Sequence, residues 1–458
     1  MRINRLKVVV ALLLLGAPRF LMAQDPFYGG IPTGPATSET LSLSLEDAIQ
    51  RGLTCNLASL LGGEGIRFAQ AALGMTKSQI LPTLSAGLSE SEVQRNLKAF
   101  GFGSFLGIPY MVGPFGVFDS RLYLSQSIID FKAINDIRAG KERVKATELI
   151  YRNIRDHVAF VCGDLYLQAL SGKSRITATQ IQVNTAQTLY NLALDRKNAG
   201  VVPGIEVLRA QVELQVQQQR LIVAENEYQK GKLNLARAIG LPLGQNFELT
   251  EDLLYVALPP MALEETVQRA YRDRADFQSA QAQVRAAEFT KKAAESERLP
   301  SLRGVADYGV TGPALTQSHG TFSVAASLQV PLFEGGRTRA RVQAADSELK
   351  QRQAEREDLR GRIYYEVQTA FLNLQAADQS VKVAGSSVKL AQQQLEQAQD
   401  RFSAGVGSNI EVVQAQESLA IATEAYVSSL YAHQNGKGRL AQILGAGESS
   451  FIKFLRGN

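Results

Sequence analysis

The feature of this sequence that most constrains its fold is a sequence pattern that occurs twice. The stretch "AGVVPGIEVLRAQVEL" begins at Ala199, and "AGVGSNIEVVQAQESL", which begins at Ala404, agrees with it at 9 of 16 positions without a gap. Upstream, "LPTL" from Leu81 matches "LPSL" from Leu299. A fixed pattern that recurs at such distances indicates a duplicated unit, so the fold is expected to contain two similar halves.

The boundaries of the two copies follow from these matches and from local composition. A Pro- and Gly-rich segment without periodicity precedes the first copy and is expected to be flexible. The predicted segments are a flexible N-terminal lead-in at 24–41, a first repeat at 42–245, a linker at 246–262, a second repeat at 263–445 and a C-terminal tail at 446–458.

The hydrophobic period changes in the same order within each copy. Two short segments in which polar and apolar residues alternate predict a β-hairpin. A long helical pattern follows, interrupted by the glycine-rich turn. The predicted strands lie at about 83–94, 117–129, 301–310 and 321–333, and the predicted helical hairpins lie at about 133–240 and 337–445.

A heptad pattern runs through the second long helix. From Ile363 to Phe402, large apolar residues recur every seven positions with alanines between them. Such a pattern predicts a left-handed coiled coil, in which the alanines permit close approach of the backbones. A helix from Thr338 to Ser403 would be about 100 Å long at 1.5 Å per residue. That length excludes an ordinary compact globular core.

The N-terminus predicts export. It has a basic start, an apolar run from Val8 to Leu15 and Ala23 at the expected cleavage position, the layout of a secretory signal peptide at 1–23. No later segment approaches the roughly 20 apolar residues that a membrane helix requires. If the mature chain spans a membrane, strands must therefore do so.

Catalytic and metal-binding patterns are missing from the sequence. His157, His319 and His433 lie far apart, with no Cys or His at metal-ligand spacing. Cys55 and Cys162 are too few for a disulfide framework, and whether they form one bridge stays open. Lys and Arg number 49 against 44 Asp and Glu, interspersed along the chain, which argues against a nucleic-acid partner. We expect no enzyme activity, no metal and no cofactor.

Four motifs carry a resemblance to a known family. They are "LSLEDAIQRGL", "LSQSIID", "VPLFEGGRTRARV" and the paired "AGVxxxIEV" turns. From about residue 41 to 445 the chain resembles the outer membrane efflux channels typified by TolC. The resemblance implies an α+β membrane protein that forms a homotrimer, with a 12-stranded outer-membrane β-barrel continued by a periplasmic α-helical tunnel. Independently, four strands cannot hide their edges in lipid, so the chain is expected to oligomerise.

The resemblance also implies a function and partners. The trimer would sit in the lipid of the outer membrane in a Gram-negative type of envelope, with its tunnel in the periplasm. It would passively conduct substrates in a tripartite efflux or type I secretion system. Its partners would be a periplasmic adaptor and an inner-membrane pump of the RND, ABC or MFS type. The sequence does not name the exported substrate.

Two glycine turns are the candidate docking tips. By resemblance, Gly200 and Gly405, with the adjacent Val201 and Val406, match the tips on which the adaptor docks. A glycine exposes backbone for close approach. Both glycines can equally be helix-ending residues, and the two interpretations are compatible.

A gate is expected just beyond the second turn. Glu411 and Gln414 match two acidic residues that constrict the channel of the best-known member, so one charge is kept per chain. Phe402 and Gly407 match its tyrosine and arginine latch and cannot form that contact. Glu411 can instead be a carboxylate favoured at a helix N-terminus, and Glu206 fits that role equally. The candidate gate residues are Glu411, Gln414, Phe402, Gly407, Glu206 and Arg209.

Two other classes of protein remain as alternatives. A periplasmic adaptor has a long helical hairpin, but only one, flanked by a split β-rich domain. An exported coiled-coil scaffold without a pore would leave the four alternating strands and their Gly-rich loops without a purpose. The duplication of hairpin plus strands therefore favours the channel.

Overall fold

The computed structural model describes residues 25–101, 109–257, 261–446 and 452–454. The predicted signal peptide at 1–23 and most of the predicted tail at 446–458 lie outside the described residues. The chain divides into two compact units. The hairpin unit comprises Met1–Gly63, Tyr151–Arg274 and Ile363–Asn458, and the sheet unit comprises Glu64–Ile150 and Ala275–Arg362.

The helices follow the order that the duplication predicts. Each copy begins with two shorter helices and ends with two long ones that are joined by a glycine turn. The helices are α1 (Leu45–Cys55), α2 (Leu57–Ser78), α3 (Phe131–Asn198), α4 (Gly204–Ala238), α5 (Leu263–Asp273), α6 (Ala275–Ser296), α7 (Arg337–Ser403) and α8 (Asn409–Ile443).

The predicted coiled-coil seam of α7 is confirmed. Most alanines and larger apolar residues of the heptad pattern are buried, since they pack against neighbouring helices of the hairpin unit. The buried seam residues are Ile363, Val367, Ala370, Leu374, Val381, Ala384, Ala391, Leu395, Ala398 and Phe402.

The lead-in differs from its expected flexibility. Gly30 forms an antiparallel bridge with Asn56, whose side-chain amide donates to the carbonyl oxygens of Phe27 at 2.7 Å and Ala238 at 3.1 Å. The buried amide thus pairs with backbone groups on both sides of it, as burial of a polar group requires. Residues 26–30 are therefore bound to the hairpin unit, despite a composition typical of a loop.

A small parallel sheet occupies part of the predicted linker. Strand β1 (Leu41–Leu43) pairs in parallel with a strand at Phe247–Leu249. Tyr166 of α3 is fully buried and donates its hydroxyl to the Leu43 carbonyl oxygen at 3.1 Å. The beginning of the linker is therefore part of the packed hairpin unit.

The cysteines are free and buried in the hairpin unit. Burial raises the pKa of the Cys162 thiol to about 12, which keeps it protonated and unreactive at neutral pH. The open question of a bridge between Cys55 and Cys162 is thus answered in favour of two thiols.

The sheet unit contains a four-stranded antiparallel sheet. Its strands lie in the order β2, β3, β5, β6, and the Phe247–Leu249 strand counts as β4. The bounds are β2 (Thr83–Asn96), β3 (Met111–Ile129), β5 (Ser301–Gly312) and β6 (His319–Gln329).

Two strand ends differ from the predicted ones by more than two residues. Strand β3 begins at Met111, six residues before the predicted 117, and so extends the ladder with β2. Strand β6 ends at Gln329, four residues before the predicted 333. Pro331 follows and has no N–H to donate to a ladder, which explains the early end.

The two faces of the sheet differ in chemistry, although Glu90 and Glu92, toward the loop end of β2, lie on the mainly apolar face. Side chains alternate between the faces along each strand, and one face carries exposed apolar residues on all four strands. These include Leu84, Leu88, Leu122, Tyr308, Phe322, Val324 and Leu328. The opposite face carries polar residues, including Ser85, Ser89, Asp119, Arg121, Ser125, Asp307, Thr321, Ser323 and Ser327. An exposed apolar face of this extent fits surroundings of lipid.

Candidate functional site: the paired hairpin tips

Both glycine turns end their helices in the same way. Gly200 has a φ of +72° and Gly405 a φ of +79°, in the left-handed region that favours glycine. The N–H of Val201 donates to the Arg196 carbonyl oxygen at 2.9 Å, and the N–H of Val406 donates to that of Arg401 at 3.0 Å. With the bonds from Gly200 to Lys197 and from Gly405 to Phe402, these are Schellman motifs. The helix-ending role of both glycines is therefore present in the structure.

The same turns leave an open surface. A Cβ added to Gly200 or Gly405 would meet nothing within 4 Å. The neighbouring Val201 and Val406 are 67% and 69% exposed. Each tip thus presents bare backbone beside one exposed apolar side chain.

At the second tip, Glu411 starts α8. Its side chain accepts from the N–H of Ser408, whose own side chain accepts from the N–H of Glu411, which makes a capping box. The second carboxylate oxygen lies 3.2 Å from Nε of Arg401. Gln414, one turn further, is exposed. The structure therefore shows Glu411 in the alternative, helix-starting role, with the carboxylate half exposed.

At the first tip, Glu206 behaves differently. Helix α4 follows Pro203 and has no side-chain cap. Glu206 accepts from Arg209 at 2.7 Å through Oε1, while its Oε2 is buried and has no hydrogen-bond partner among the described residues. Glu206 and Glu411 both lie in the first turn of their helices, as expected, but only Glu411 makes capping bonds.

Arg196 joins the two tips, which the sequence did not predict. Its guanidinium lies 4.7 Å from the centre of the Phe402 ring and donates to the carbonyl oxygens of Phe402 at 2.6 Å and Ser403 at 2.5 Å. A cation at these last carbonyls of α7 complements the negative end of the helix dipole. Phe402 is itself buried, at 3% exposure, among apolar residues of three helices.

A second contact joins the tips, with its donor on the second tip and its acceptor on the first. The buried Asn409 donates its side-chain amide to the Glu206 carbonyl oxygen at 3.1 Å. Gly407 packs against the end of α7, where a Cβ would lie 3.0 Å from the Arg401 Cβ and 3.1 Å from the Phe402 nitrogen. Gly407 is therefore a close-packing position, in addition to lacking a latch side chain.

The histidines have no metal site in the structure. Among residues 25–101, 109–257, 261–446 and 452–454, no group of three or more His, Cys, Asp or Glu could hold a metal ion. His157 lies 2.7 Å from the amide of Gln442 and packs edge-on against Phe27. His433 is buried beside Tyr255.

A family model described as outer membrane efflux protein matches residues 65–241 and 266–446, one match in each copy of the repeat. The chain belongs to the outer membrane efflux protein family. Membership confirms the predicted family, the outer membrane location and efflux or secretion as the function. Members of this family are channel proteins.

Curated relatives agree with this assignment. The pyoverdine export outer membrane protein OpmQ of Pseudomonas putida is 24% identical over 83% of this chain and 81% of its own length. Protein CyaE of Bordetella pertussis is 25% identical over 91% of this chain and 86% of its own length.

Solved structures agree in fold. The CmeC outer membrane channel of Campylobacter jejuni superposes with a TM-score of 0.78 at 18% identity, over 94% of each chain. The MtrE outer membrane channel of Neisseria gonorrhoeae, in its open state, gives a TM-score of 0.75 at 16% identity over 90% of this chain and 94% of MtrE. The predicted duplicated unit of helical hairpin plus β-hairpin is confirmed.

Within the described residues, no helix is both long enough and apolar enough to cross a membrane.

Proposed function

We propose that this chain is one third of a trimeric outer membrane channel that passively conducts substrates delivered by an inner-membrane pump and a periplasmic adaptor. The observation that carries the proposal is the four-stranded sheet, with one apolar exposed face, one polar face and two outer strands that pair on one side only. Membership of the outer membrane efflux protein family identifies the membrane as the outer membrane.

The free edges explain why more than one copy is required. Among the described residues β2 pairs only with β3, and β6 pairs only with β5. Unpaired backbone groups in lipid cost several kcal/mol each, so the edges must find partners. Pairing of β2 of one protomer with β6 of the next would close a sheet shared by three copies, with the polar face inward.

Disulfide cross-linking tests this pairing. Ser89→Cys in β2, combined in turn with Ser323→Cys and Ala325→Cys in β6, should give disulfide-linked dimers and trimers on non-reducing gels after oxidation. The native thiols are buried and should not react. Ser125→Cys in the central strand β3, on the same polar face, takes the place of Ser89→Cys as the matched control and should give none. Assembled protein in the outer membrane that cross-links through none of the edge pairs would contradict the shared sheet.

The adaptor would dock on the hairpin tips through Gly200, Val201, Gly405 and Val406. The open backbone and the exposed valines support this assignment.

The names of relatives include pyoverdine export, alkaline protease secretion and toluene efflux. A pump of the RND, ABC or MFS type is compatible with that range. A photo-crosslinking amino acid at Val406 should capture the adaptor in cells, and capture of nothing from the envelope would count against this tip.

The tips would also gate the periplasmic end. Three copies of Glu411 would converge there, with Gln414 one turn on, and Glu206, Arg209, Phe402 and Gly407 would shape the surrounding surface. Carboxylates grouped in a narrow passage favour cations. The half-exposed carboxylate of Glu411, held in place by its capping bonds and by Arg401, supports this role.

A further inference from the structure

One arginine lies on the polar face of the sheet among two carboxylates. Arg121 of β3 donates to Asp119 through Nε at 2.9 Å and through Nη2 at 2.9 Å, and to Asp307 of β5 through Nη1. Its Nη2 also lies 3.3 Å from the hydroxyl of Thr321 in β6. The side chains of Arg121 and Asp307 are only 17% and 19% exposed. One side chain therefore connects three adjacent strands.

The strand register shows why the arginine lies flat along the sheet. Arg121 stands opposite Gly87 on one side and Gly309 on the other, and Gly309 stands opposite Thr321. A Cβ on Gly309 would come 2.1 Å from the Arg121 Cβ. The missing side chain leaves a groove through which the guanidinium reaches β6. The charged groups are thus held close to the backbone of the sheet.

The cluster has an unbalanced charge. One guanidinium faces two carboxylates, which leaves one net negative charge per chain. The other charged side chain on this face of β5 is Arg303, about 13 Å from Asp307 along the strand at 3.3 Å per residue. His319 lies on the same face, one rung toward the loop. Neither of them contacts Asp119 or Asp307 in the described hydrogen bonds and ion pairs.

We infer that Asp119, Arg121 and Asp307 form a charge-selecting ring within the sheet of the channel, which favours cations over anions. The inference rests on the proposed function, because only closure of the sheet by three copies turns the polar face into a channel wall. Fixed charges that line a pore raise the local concentration of ions of opposite sign. This ring lies in the sheet unit and is separate in the chain from Glu411 at the hairpin tip.

Ion selectivity in planar bilayers tests the ring on the assembled trimer. The K⁺/Cl⁻ permeability ratio follows from the reversal potential in a KCl gradient. Arg121→Gln removes the only positive charge of the cluster and should raise the ratio by about 2-fold or more, while Asp307→Asn should lower it by a similar factor. Thr321→Val removes a hydrogen bond without a charge and should leave the ratio unchanged.

A double variant separates charge from structure. Arg121→Gln combined with Asp307→Asn restores the net charge of the native cluster and should restore the native ratio, which a purely structural role would not do. Native trimers that form no pore would contradict the proposed function itself. Native trimers that conduct, with the same ratio in all the charge variants, would overturn the ring alone.

Discussion

Arg196 and Arg401 occupy equivalent positions in the two copies of the repeat, yet they hold different partners. Arg196 donates to the carbonyl oxygens of Phe402 and Ser403 and lies over the Phe402 ring. Arg401 pairs with Glu411 within its own tip. Duplication therefore produced one arginine that joins the tips and one that steadies the start of α8.

The first prediction concerns Arg196, the arginine that joins the two tips. Arg196→Gln should loosen the end of α7, because a cation at a helix C-terminus contributes about 0.3–1 kcal/mol and a cation–π contact about 0.5–1 kcal/mol. Hydrogen exchange of residues 398–406 should become faster in the variant. Lys197→Gln is the matched control, since it removes a neighbouring cation that is exposed. Equal protection in native protein and in Arg196→Gln would show that the contact does not hold the tip.

The tip glycines give a prediction that separates docking from folding. Gly405→Asn keeps a residue type that tolerates positive φ and meets nothing within 4 Å, so trimers should assemble normally. Its side chain covers the bare backbone and should reduce cross-linking to the adaptor through Val406. Gly407→Asn is the control for a folding defect, because its Cβ would lie 3.0 Å from the Arg401 Cβ. Loss of trimers in Gly405→Asn would assign that glycine to folding.

Glu411 can be tested for charge apart from capping. Glu411→Gln keeps a side chain that can complete the capping box but removes the carboxylate. The cation preference of the pore should fall, with little change in thermal stability of the trimer. Glu206→Gln is the comparison at the first tip, where the carboxylate bonds to Arg209. An unchanged reversal potential in Glu411→Gln would remove this residue from the gate.

Buried Lys437 should give stability a distinct pH dependence. Its side chain donates to the Val256 carbonyl oxygen at 3.1 Å, and burial lowers its pKa from 10.5 to about 8. Between these values the folded chain binds fewer protons than the unfolded chain, so the free energy of unfolding rises as the pH rises through that window. Urea unfolding at a series of pH values measures this slope.

Substitution identifies the group responsible. Lys437→Met should lose the slope between pH 8 and the ordinary lysine value of 10.5. Lys382→Met should keep it, because the bond to Asp378 raises the pKa of Lys382 and so leaves that lysine protonated in the window. A slope that persists in Lys437→Met would assign the titration to another group.

The sequence predicted the parts of the fold that have a local period. The heptads of α7, the alternation in the strands and the glycines at the turns each express a repeat of a few residues, and the structure contains all of them. Contacts between distant segments have no such period. The Asn56 amide binds Phe27 and Ala238, and Arg196 reaches Phe402, more than 200 positions away. The ordered lead-in and the joined tips were therefore not predicted.

The candidate site was predicted in position more than in chemistry. The repeat identified both tips and a first-turn carboxylate at each, but not which carboxylate would make capping bonds. Pro203 replaces a capping side chain at the first tip, while Ser408 supplies one at the second. Comparison of the residue before each helix could have revealed that difference.

The current through single purified trimers in planar lipid bilayers tests the central claim most directly. If three copies close one shared sheet around a polar passage, the native protein should give discrete conductance steps with a cation preference, and Arg196→Gln should give larger or more frequent steps. Native protein that runs as an intact trimer in detergent but produces no steps would contradict the account.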